Sequence, residues 1–190
     1  MSAVVTQMLD RALQGNEISP ADAVTLLTET APDSIEQIRV TADKLRQQQV
    51  GDTVTYVINR NINFTNICEQ HCSFCAFRRD ADTEGAFWLS NEQILAKAQD
   101  AVDKGATEIC MQGGLHPGAQ INGKSLTYYL ELVTTIKSTF PQLHLHAFSP
   151  QEIEFIARQD GLSYADVMIT LRDAGLGSMP GTAAEVLDDS

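Results

Sequence analysis

Three cysteines within eight residues are the most chemically informative feature of the sequence. Cys68, Cys72 and Cys75 form the pattern CxxxCxxC, in the segment CEQHCSFC. A tight loop of this kind could bring three thiolates onto three irons of a [4Fe–4S] cubane. Electron-transfer clusters generally use four cysteine ligands, so three ligands would leave one iron open. An open coordination site is typical of a metal that binds a reactant.

Two other metal sites remain open as interpretations of this motif. A structural zinc site would use the three cysteines with His71 or a remote residue, but such sites usually pair two CxxC hooks, and a second pair is absent. An electron-transfer cluster would need a fourth thiolate at motif spacing, whereas Cys110 lies in a predicted strand. The motif therefore favours a cluster whose open iron binds S-adenosylmethionine (SAM). Phe74 would give the SAM adenine an apolar flank.

The segments around the motif alternate between strands and helices. β-branched and aromatic residues at 54–58 predict a strand that runs on through 59–64 into the cysteine loop. Further strands are predicted at 107–111, at 143–148 and, as a short segment, at 176–179. Capping residues and apolar periodicity predict helices after Ser19-Pro20 and at about 34–48, 90–104, 125–140, 149 onward and 165–174. Alternation of this kind indicates parallel strands and an α/β fold.

We predict a helical N-terminal extension over residues 1–52 and the N-terminal part of a radical SAM (β/α) barrel over residues 53–190. A closed barrel of the common type needs eight strands and about 250 residues. This chain offers about four strand–helix units in its 190 residues, so we interpret it as truncated, a fragment of a longer barrel.

The loops that follow the predicted strands should meet in one cavity, because the carboxyl ends of barrel strands form the active-site face. The cysteine loop follows the first strand, Gln112, Gly113 and Gly114 follow the second, and residues 146–150 follow the third. Glycine lets the backbone approach a ligand closely. We expect the glycine pair to receive the ammonium group of SAM.

The composition of the chain excludes several classes of partner and of protein. The formal net charge is -12, with 13 basic and 25 acidic residues and no basic run, so a nucleic-acid partner is not expected. The N-terminus lacks a secretory signal and no stretch of about 18 apolar residues occurs, so we expect a cytoplasmic protein without a membrane span. Four cysteines are too few for a disulfide scaffold.

Four segments carry a resemblance to a known family: NRNINFTNICEQHCSFCAFRR at 59–79, MQGGLHPG at 111–118, HAFSP at 146–150 and SMPGTAAEVL at 178–187. Together they resemble the second subunit of FO synthase, the family of 5-amino-6-(D-ribitylamino)uracil–L-tyrosine 4-hydroxyphenyl transferases in the radical SAM superfamily. Two menaquinone-pathway enzymes, aminofutalosine synthase and the dehypoxanthine futalosine cyclase, share these segments. The sequence PGTAAE at 180–185 favours the FO synthase branch.

The resemblance implies a [4Fe–4S] cluster, one per chain, and SAM as cofactors. It implies that the reduced cluster splits SAM and that the resulting 5′-deoxyadenosyl radical takes a hydrogen from L-tyrosine. The resemblance further implies that the Cα–Cβ bond of tyrosine then breaks. The 4-hydroxybenzyl group adds to 5-amino-6-(D-ribitylamino)uracil and 2-iminoacetate leaves. A reducing electron donor and a companion radical SAM subunit, which closes the deazaflavin ring of FO, are the further implied partners.

Residue by residue, the resemblance implies Cys68, Cys72 and Cys75 as cluster ligands and Gln112, Gly113 and Gly114 as SAM contacts. Glu185 is a candidate for ribose hydroxyls or a substrate amine, or else a solvated carboxylate at a helix start. Roles in the site stay open for His116, His144, His146 and Arg78. Two alternatives stay open. The shared segments allow one of the menaquinone-pathway activities, and the length of family members, nearly twice that of this chain, allows an inactive fragment that binds the cluster.

Overall fold

The computed structural model describes residues 2–181. The chain divides into two compact units between Tyr56 and Val57. In the first unit, α1 (Ala3–Leu13), α2 (Pro20–Leu27) and α3 (Pro32–Val50) give the predicted helical character, and α1 contacts α3. None of the helices in the described residues is long and apolar enough to span a bilayer.

The second unit alternates three strands with four helices in its described part. Its elements follow in chain order: β1 (Asn59–Asn63), α4 (Asn91–Asp103), β2 (Glu108–Gln112), α5 (Ser125–Thr139), β3 (His144–Ala147), α6 (Pro150–Asp160) and α7 (Tyr164–Asp173). The strands form one parallel sheet in the order β1-β2-β3. Helical crossovers between parallel strands confirm the predicted α/β class and the partial barrel.

Capping residues explain why the helices begin where the sequence predicts. The Ser90 hydroxyl accepts a hydrogen bond from the Gln93 N–H at 3.3 Å, and the Gln93 side chain accepts one from the Ser90 N–H at 2.9 Å. Ser149 and Glu152 form the same reciprocal box at the start of α6. Each box satisfies backbone donors that a first helical turn leaves without partners.

The predicted strand starts too early: residues 54–58 are not a strand, whereas β1 lies in the predicted continuation at 59–64 and begins at Asn59. Val54 and Tyr56 are 89% and 87% exposed. The Ile58 carbonyl accepts the Thr107 N–H at 2.9 Å, and this bond is the first contact of the β1–β2 ladder. Since β2 starts at Glu108, residues 54–57 have no strand to pair with among the described residues. A high strand propensity does not form a strand without a partner.

The predicted fourth strand at 176–179 is a single parallel bridge between His146 and Ser178. The Ala147 N–H donates to the Ser178 carbonyl at 2.9 Å, and the Gly177 N–H donates to the Leu145 carbonyl at 2.9 Å. This segment follows the edge of β3 without extending into a ladder. The described sheet therefore has three strands rather than four.

The two faces of the sheet differ in chemistry. One face is apolar and buried beneath the helices, with Ile62, Ile109, Met111, Leu145 and Ala147 at its centre. Aromatic rings continue this core past the strand ends, where Phe64, Tyr129 and Phe148 meet edge to face at centroid distances of 5.1–6.3 Å. The opposite face carries polar side chains on all three strands.

Candidate functional site

A cavity of about 290 Å³ lies in the second unit at the carboxyl ends of the strands. It brings together the three motif cysteines and the other sequence-predicted cofactor residues in the described part of the chain. Those residues are Cys68, Cys72, Cys75, Phe74, Gln112, Gly113 and Gly114. The prediction that the loops after three successive strands share one cavity agrees with this geometry, since Ser149 and Glu152 also line it.

The three cysteines carry free thiols on the wall of this cavity. Cys68 is half-buried, whereas Cys72 and Cys75 are exposed. The Cys75 N–H donates to the Cys72 carbonyl at 3.1 Å, which closes a tight turn between them. Within residues 2–181, no three His, Cys, Asp or Glu side chains converge closely enough to hold a single metal ion.

The donor set suits an iron–sulfur cluster better than a lone metal ion. Three thiols that face one cavity, and that form no disulfide, are the ligands that such clusters use. His71, the nearby alternative ligand for zinc, is instead 2.9 Å from the Arg78 guanidinium. The residues present therefore fit a [4Fe–4S] cluster with three protein ligands.

The side chain of Arg78 stabilises the cysteine loop through contacts within the loop. Its Nε donates to the Cys68 carbonyl at 3.1 Å, and its guanidinium forms an ion pair with Asp80. Backbone bonds add to this stabilisation, because the Cys68 N–H donates to the Arg79 carbonyl at 3.3 Å. Arg78 lines the cavity, but its guanidinium group already binds the Cys68 carbonyl and Asp80 of the same loop.

Gly113 and Gly114 are required by close packing against the cysteine loop. A Cβ on Gly114 would overlap the carbonyl oxygen of Ile67 and lie 2.9 Å from the Cβ of Cys68. A Cβ on Gly113 would overlap the ring of Phe64. The Gly114 N–H donates to the Thr65 carbonyl at 2.9 Å. The loop after β2 thus lies directly on the loop after β1, with only backbone between them.

Glu152 is the site residue that the sequence interpretation missed. Its position three residues after Ser149 is that of an ordinary helix cap, yet the residue is 1% exposed and lines the cavity. One oxygen accepts the Ser149 N–H at 2.7 Å and the Ser149 hydroxyl at 2.9 Å, and the other accepts the Gly113 N–H at 3.1 Å. Glu152 therefore ties the loop after β3 to the loop after β2.

Burial raises the pKa of Glu152 to about 7, although its hydrogen bonds to Ser149 and Gly113 act in the opposite direction. Desolvation disfavours the charged form, whereas donors that point at the carboxylate favour it. The preceding Phe148 is buried and has a φ of 62°, a conformation that costs energy for a bulky residue. This kink turns the chain at the end of β3 so that Ser149 and Glu152 face the cavity.

The other candidates lie away from the cysteines. His116 packs against the Trp88 ring at 4.6 Å between centroids, and burial lowers its pKa. His144 and His146 lie on the polar face of the sheet, where both contact the Ser178 hydroxyl. Glu185 lies outside the described residues.

The match to a family model identifies the class of protein. Residues 62–180 match the Radical SAM superfamily. Because this match covers more than half of the chain, the chain belongs to the radical SAM superfamily. Members of this superfamily generally use a [4Fe–4S] cluster and SAM.

Curated relatives narrow the likeness further. The chain is 68% identical over 189 residues to the 5-amino-6-(D-ribitylamino)uracil–L-tyrosine 4-hydroxyphenyl transferase of Cyanothece sp., with all of this chain and 50% of the relative covered. The protein of the same name from Nostoc punctiforme is 71% identical over 185 residues, with 97% of this chain and 49% of the relative covered. The chain thus spans about half the length of the curated relatives it matches.

Two solved structures share the fold. Methylornithine synthase superposes with a TM-score of 0.59 at 18% identity, over 89% of this chain and 56% of that chain. HydG, a maturase of the [FeFe]-hydrogenase, superposes with a TM-score of 0.65 at 14% identity, over 94% of this chain and 46% of that chain. At these identities the likeness concerns the fold alone.

Proposed function

We propose that this chain provides the cluster- and SAM-binding part of a transferase that moves the 4-hydroxybenzyl group of L-tyrosine to 5-amino-6-(D-ribitylamino)uracil. The observation that carries the proposal is the identity of 68–71% to transferases of that name across nearly the whole chain. The cavity supports it, because three free thiols lie there beside the glycine pair.

Within this proposal, Cys68, Cys72 and Cys75 hold the [4Fe–4S] cluster, which when bound supplies the electron for reductive cleavage of SAM. The chain's own residues position the reactants. Gly113 and Gly114 let the loop after β2 pack directly against Phe64 and the cysteine loop, and both glycines line the cavity beside Cys68. Glu152 fixes the Gly113 N–H. Phe74, which is 85% exposed on the cavity wall, offers an apolar surface for a purine ring.

The overall reaction breaks the Cα–Cβ bond of tyrosine, forms a carbon–carbon bond to the pyrimidine ring, and releases 2-iminoacetate. SAM is consumed, because its cleavage gives methionine and 5′-deoxyadenosine, which carries the hydrogen taken from tyrosine. A reducing electron donor supplies the electron for that cleavage, and the electron is given back when the adduct radical is oxidised to the product. The product is the substrate that a companion radical SAM subunit would close to the deazaflavin ring of FO. The hard chemistry belongs to the cofactors, while the protein binds, orients and excludes water.

The first test is cluster binding by this chain. We expect anaerobic reconstitution with iron and sulfide, followed by reduction, to give a [4Fe–4S]⁺ electron paramagnetic resonance signal that changes on addition of SAM. Cys72→Ser should lose the signal. Cys110→Ser should keep its cluster content, because Cys110 lies outside the cavity. A cluster whose spectrum ignores SAM would contradict the proposed cofactor site.

The second test is product analysis. Incubation of the reduced holoprotein with SAM, L-tyrosine and 5-amino-6-(D-ribitylamino)uracil should release 2-iminoacetate, which is detected as glyoxylate. Cleavage of SAM without glyoxylate would refute the transfer reaction for this chain. A cluster that never cleaves SAM would instead assign the chain a cluster-binding role only, which its half-length match to the relatives makes a specific alternative.

A further inference from the structure

The polar face of the sheet forms a grid of hydrogen-bonding side chains. Register places these residues in rows across the strands: Asn59, Glu108 and His144 in the first row, Asn61, Cys110 and His146 in the second, and Asn63 and Gln112 in the third. Same-face residues lie about 6.6 Å apart along a strand, and strands lie about 4.8 Å apart. Parallel strands are ordinarily apolar on both faces, so seven polar side chains in register around Cys110 require an explanation.

A hydrogen-bond network holds one edge of this grid in place. The Ser178 hydroxyl lies 2.8 Å from His144 Nε2 and 2.7 Å from His146 Nδ1. Glu108 accepts a hydrogen bond from the Asn59 side chain at 3.3 Å and lies 4.0 Å from His144 Nε2. A Cβ on Gly177 would overlap the His144 ring, so glycine lets the ring lie flat against the chain. Both imidazoles are thereby oriented before any ligand arrives.

The grid is continuous with the cysteine cavity. Asn63 and Gln112 form the third row, and both also line that cavity. A ligand on the grid would therefore reach toward the space beside Cys68. This position suits a second reactant that must meet a group released near the cluster.

Charge decides which reactant fits. The grid residues and the adjoining Ser178 include one acidic side chain, Glu108, and no lysine or arginine. Arg60 on β1 lies on the other face of its strand and forms an ion pair with Asp100. The carboxylate of a free amino acid such as tyrosine therefore has no lysine or arginine to pair with among these residues. A neutral ligand with many hydroxyl and amide groups is matched instead, because it exchanges hydrogen bonds with amides, imidazoles and a hydroxyl.

We propose that the polar sheet face binds the neutral, polyhydroxylated pyrimidine substrate, with its ribityl chain over the first two rows of the grid and its ring toward Gln112 in the third row. This inference rests on the proposed function for the identity of the substrate. It assigns L-tyrosine to a different part of the site.

Histidine NMR of the full chain provides the test. The sequence contains four histidines, and only His144 and His146 lie on the grid. We expect anaerobic titration with 5-amino-6-(D-ribitylamino)uracil to shift the ring signals of these two residues and to leave His116 unmoved. L-tyrosine should leave both grid signals unmoved. Absence of pyrimidine binding, or grid shifts caused by tyrosine, would overturn the inference.

Affinity measurements by calorimetry provide an independent arm. Asn61→Leu and His146→Phe should each weaken pyrimidine binding about tenfold, as expected for the loss of one good hydrogen bond. Thr134→Val on the exposed side of α5 is the matched control and should bind as the parent chain does. His146→Gln keeps a polar group and should recover part of the loss. Unchanged affinity in both disruptive variants would refute the assignment.

These outcomes separate the inference from the function on which it rests. Release of glyoxylate without any shift of the two histidines would overturn the inference and leave the transfer reaction intact. Pyrimidine binding on the grid without SAM cleavage would overturn the transfer reaction and leave the binding face intact.

Discussion

Replacement of Glu152 by glutamine tests whether a buried carboxyl group connects the loops of the site. In the folded protein the pKa of Glu152 is raised from its ordinary value of 4.5 to about 7, chiefly by burial. As pH rises from about 4.5 to about 7, the unfolded chain loses the proton while the folded chain keeps it. The folded state then binds more protons, so its stability falls with rising pH.

The size of the effect follows from the displacement of the pKa. At 1.36 kcal/mol per pH unit, a change from 4.5 to about 7 corresponds to about 3 kcal/mol. The stabilisation is fully present below about pH 4.5 and is lost by the time pH passes about 7. The glutamine that replaces Glu152 in the variant does not titrate. The unfolding free energy of the parent, measured relative to that of Glu152→Gln, should therefore fall by about 2 to 3 kcal/mol from about pH 5 to about pH 8.

Urea unfolding followed by tryptophan fluorescence measures this difference in the right part of the chain. The protein has one tryptophan, Trp88, which lies in the second unit together with Glu152. Glu154→Gln is the matched control, because Glu154 lies on the same helix with its side chain exposed and paired with Arg158. A stability difference that stays constant between about pH 5 and about pH 8 would refute the displaced pKa of Glu152.

Three further substitutions test the supports of the site. Gly114→Ala should destabilise the second unit by about 3 kcal/mol, since its methyl group would overlap the backbone of Ile67. Gly51→Ala is the control: its methyl group meets no neighbouring atom, and the substitution should cost about 1 kcal/mol because Gly51 has a positive φ. Trp88→Phe removes the 2.7 Å hydrogen bond from the indole N–H to the Tyr128 hydroxyl and should cost about 1 kcal/mol. Ser90→Ala breaks the capping box and should cost about 1 kcal/mol. Urea unfolding followed by circular dichroism measures each change, and a parent-like Gly114→Ala variant would contradict the close packing of the two loops.

Local signals in the sequence predicted the helices well, because each helix start depends on neighbouring residues. The hydroxyl of Ser19 accepts the Asp22 N–H at 3.1 Å, as the Ser19-Pro20 pair predicts. Strand ends depend on partners that are far away in sequence. The segment 54–58 has the composition of a strand, but β1 lies at 59–63, where β2 is available to pair. The strand propensity of residues 54–58 and the availability of a pairing strand therefore pointed to different segments, and pairing with β2 determined where β1 lies.

The cysteine motif and the glycine pair could be placed at one cavity from their positions after successive strands. Glu152 could not be placed there, because the pattern Ser-Pro-x-Glu is that of an ordinary exposed helix start. Its burial results from the kink at Phe148, whose φ of 62° no local pattern predicts. The tertiary structure converts a helix cap into a group that also holds Gly113.

The polar sheet face did leave a signal in the sequence. Residues 59–63 read Asn-Arg-Asn-Ile-Asn and residues 108–112 read Glu-Ile-Cys-Met-Gln, so every second residue of β1 is asparagine and β2 begins and ends on a polar residue. Strands buried on both faces in a parallel sheet would read as nearly continuous apolar runs. The composition of these two strands is therefore that of a sheet with one polar face. In this protein that face leads along Asn63 and Gln112 into the cysteine cavity, so the strands that position the cysteine loop also present the surface on which we place the second substrate.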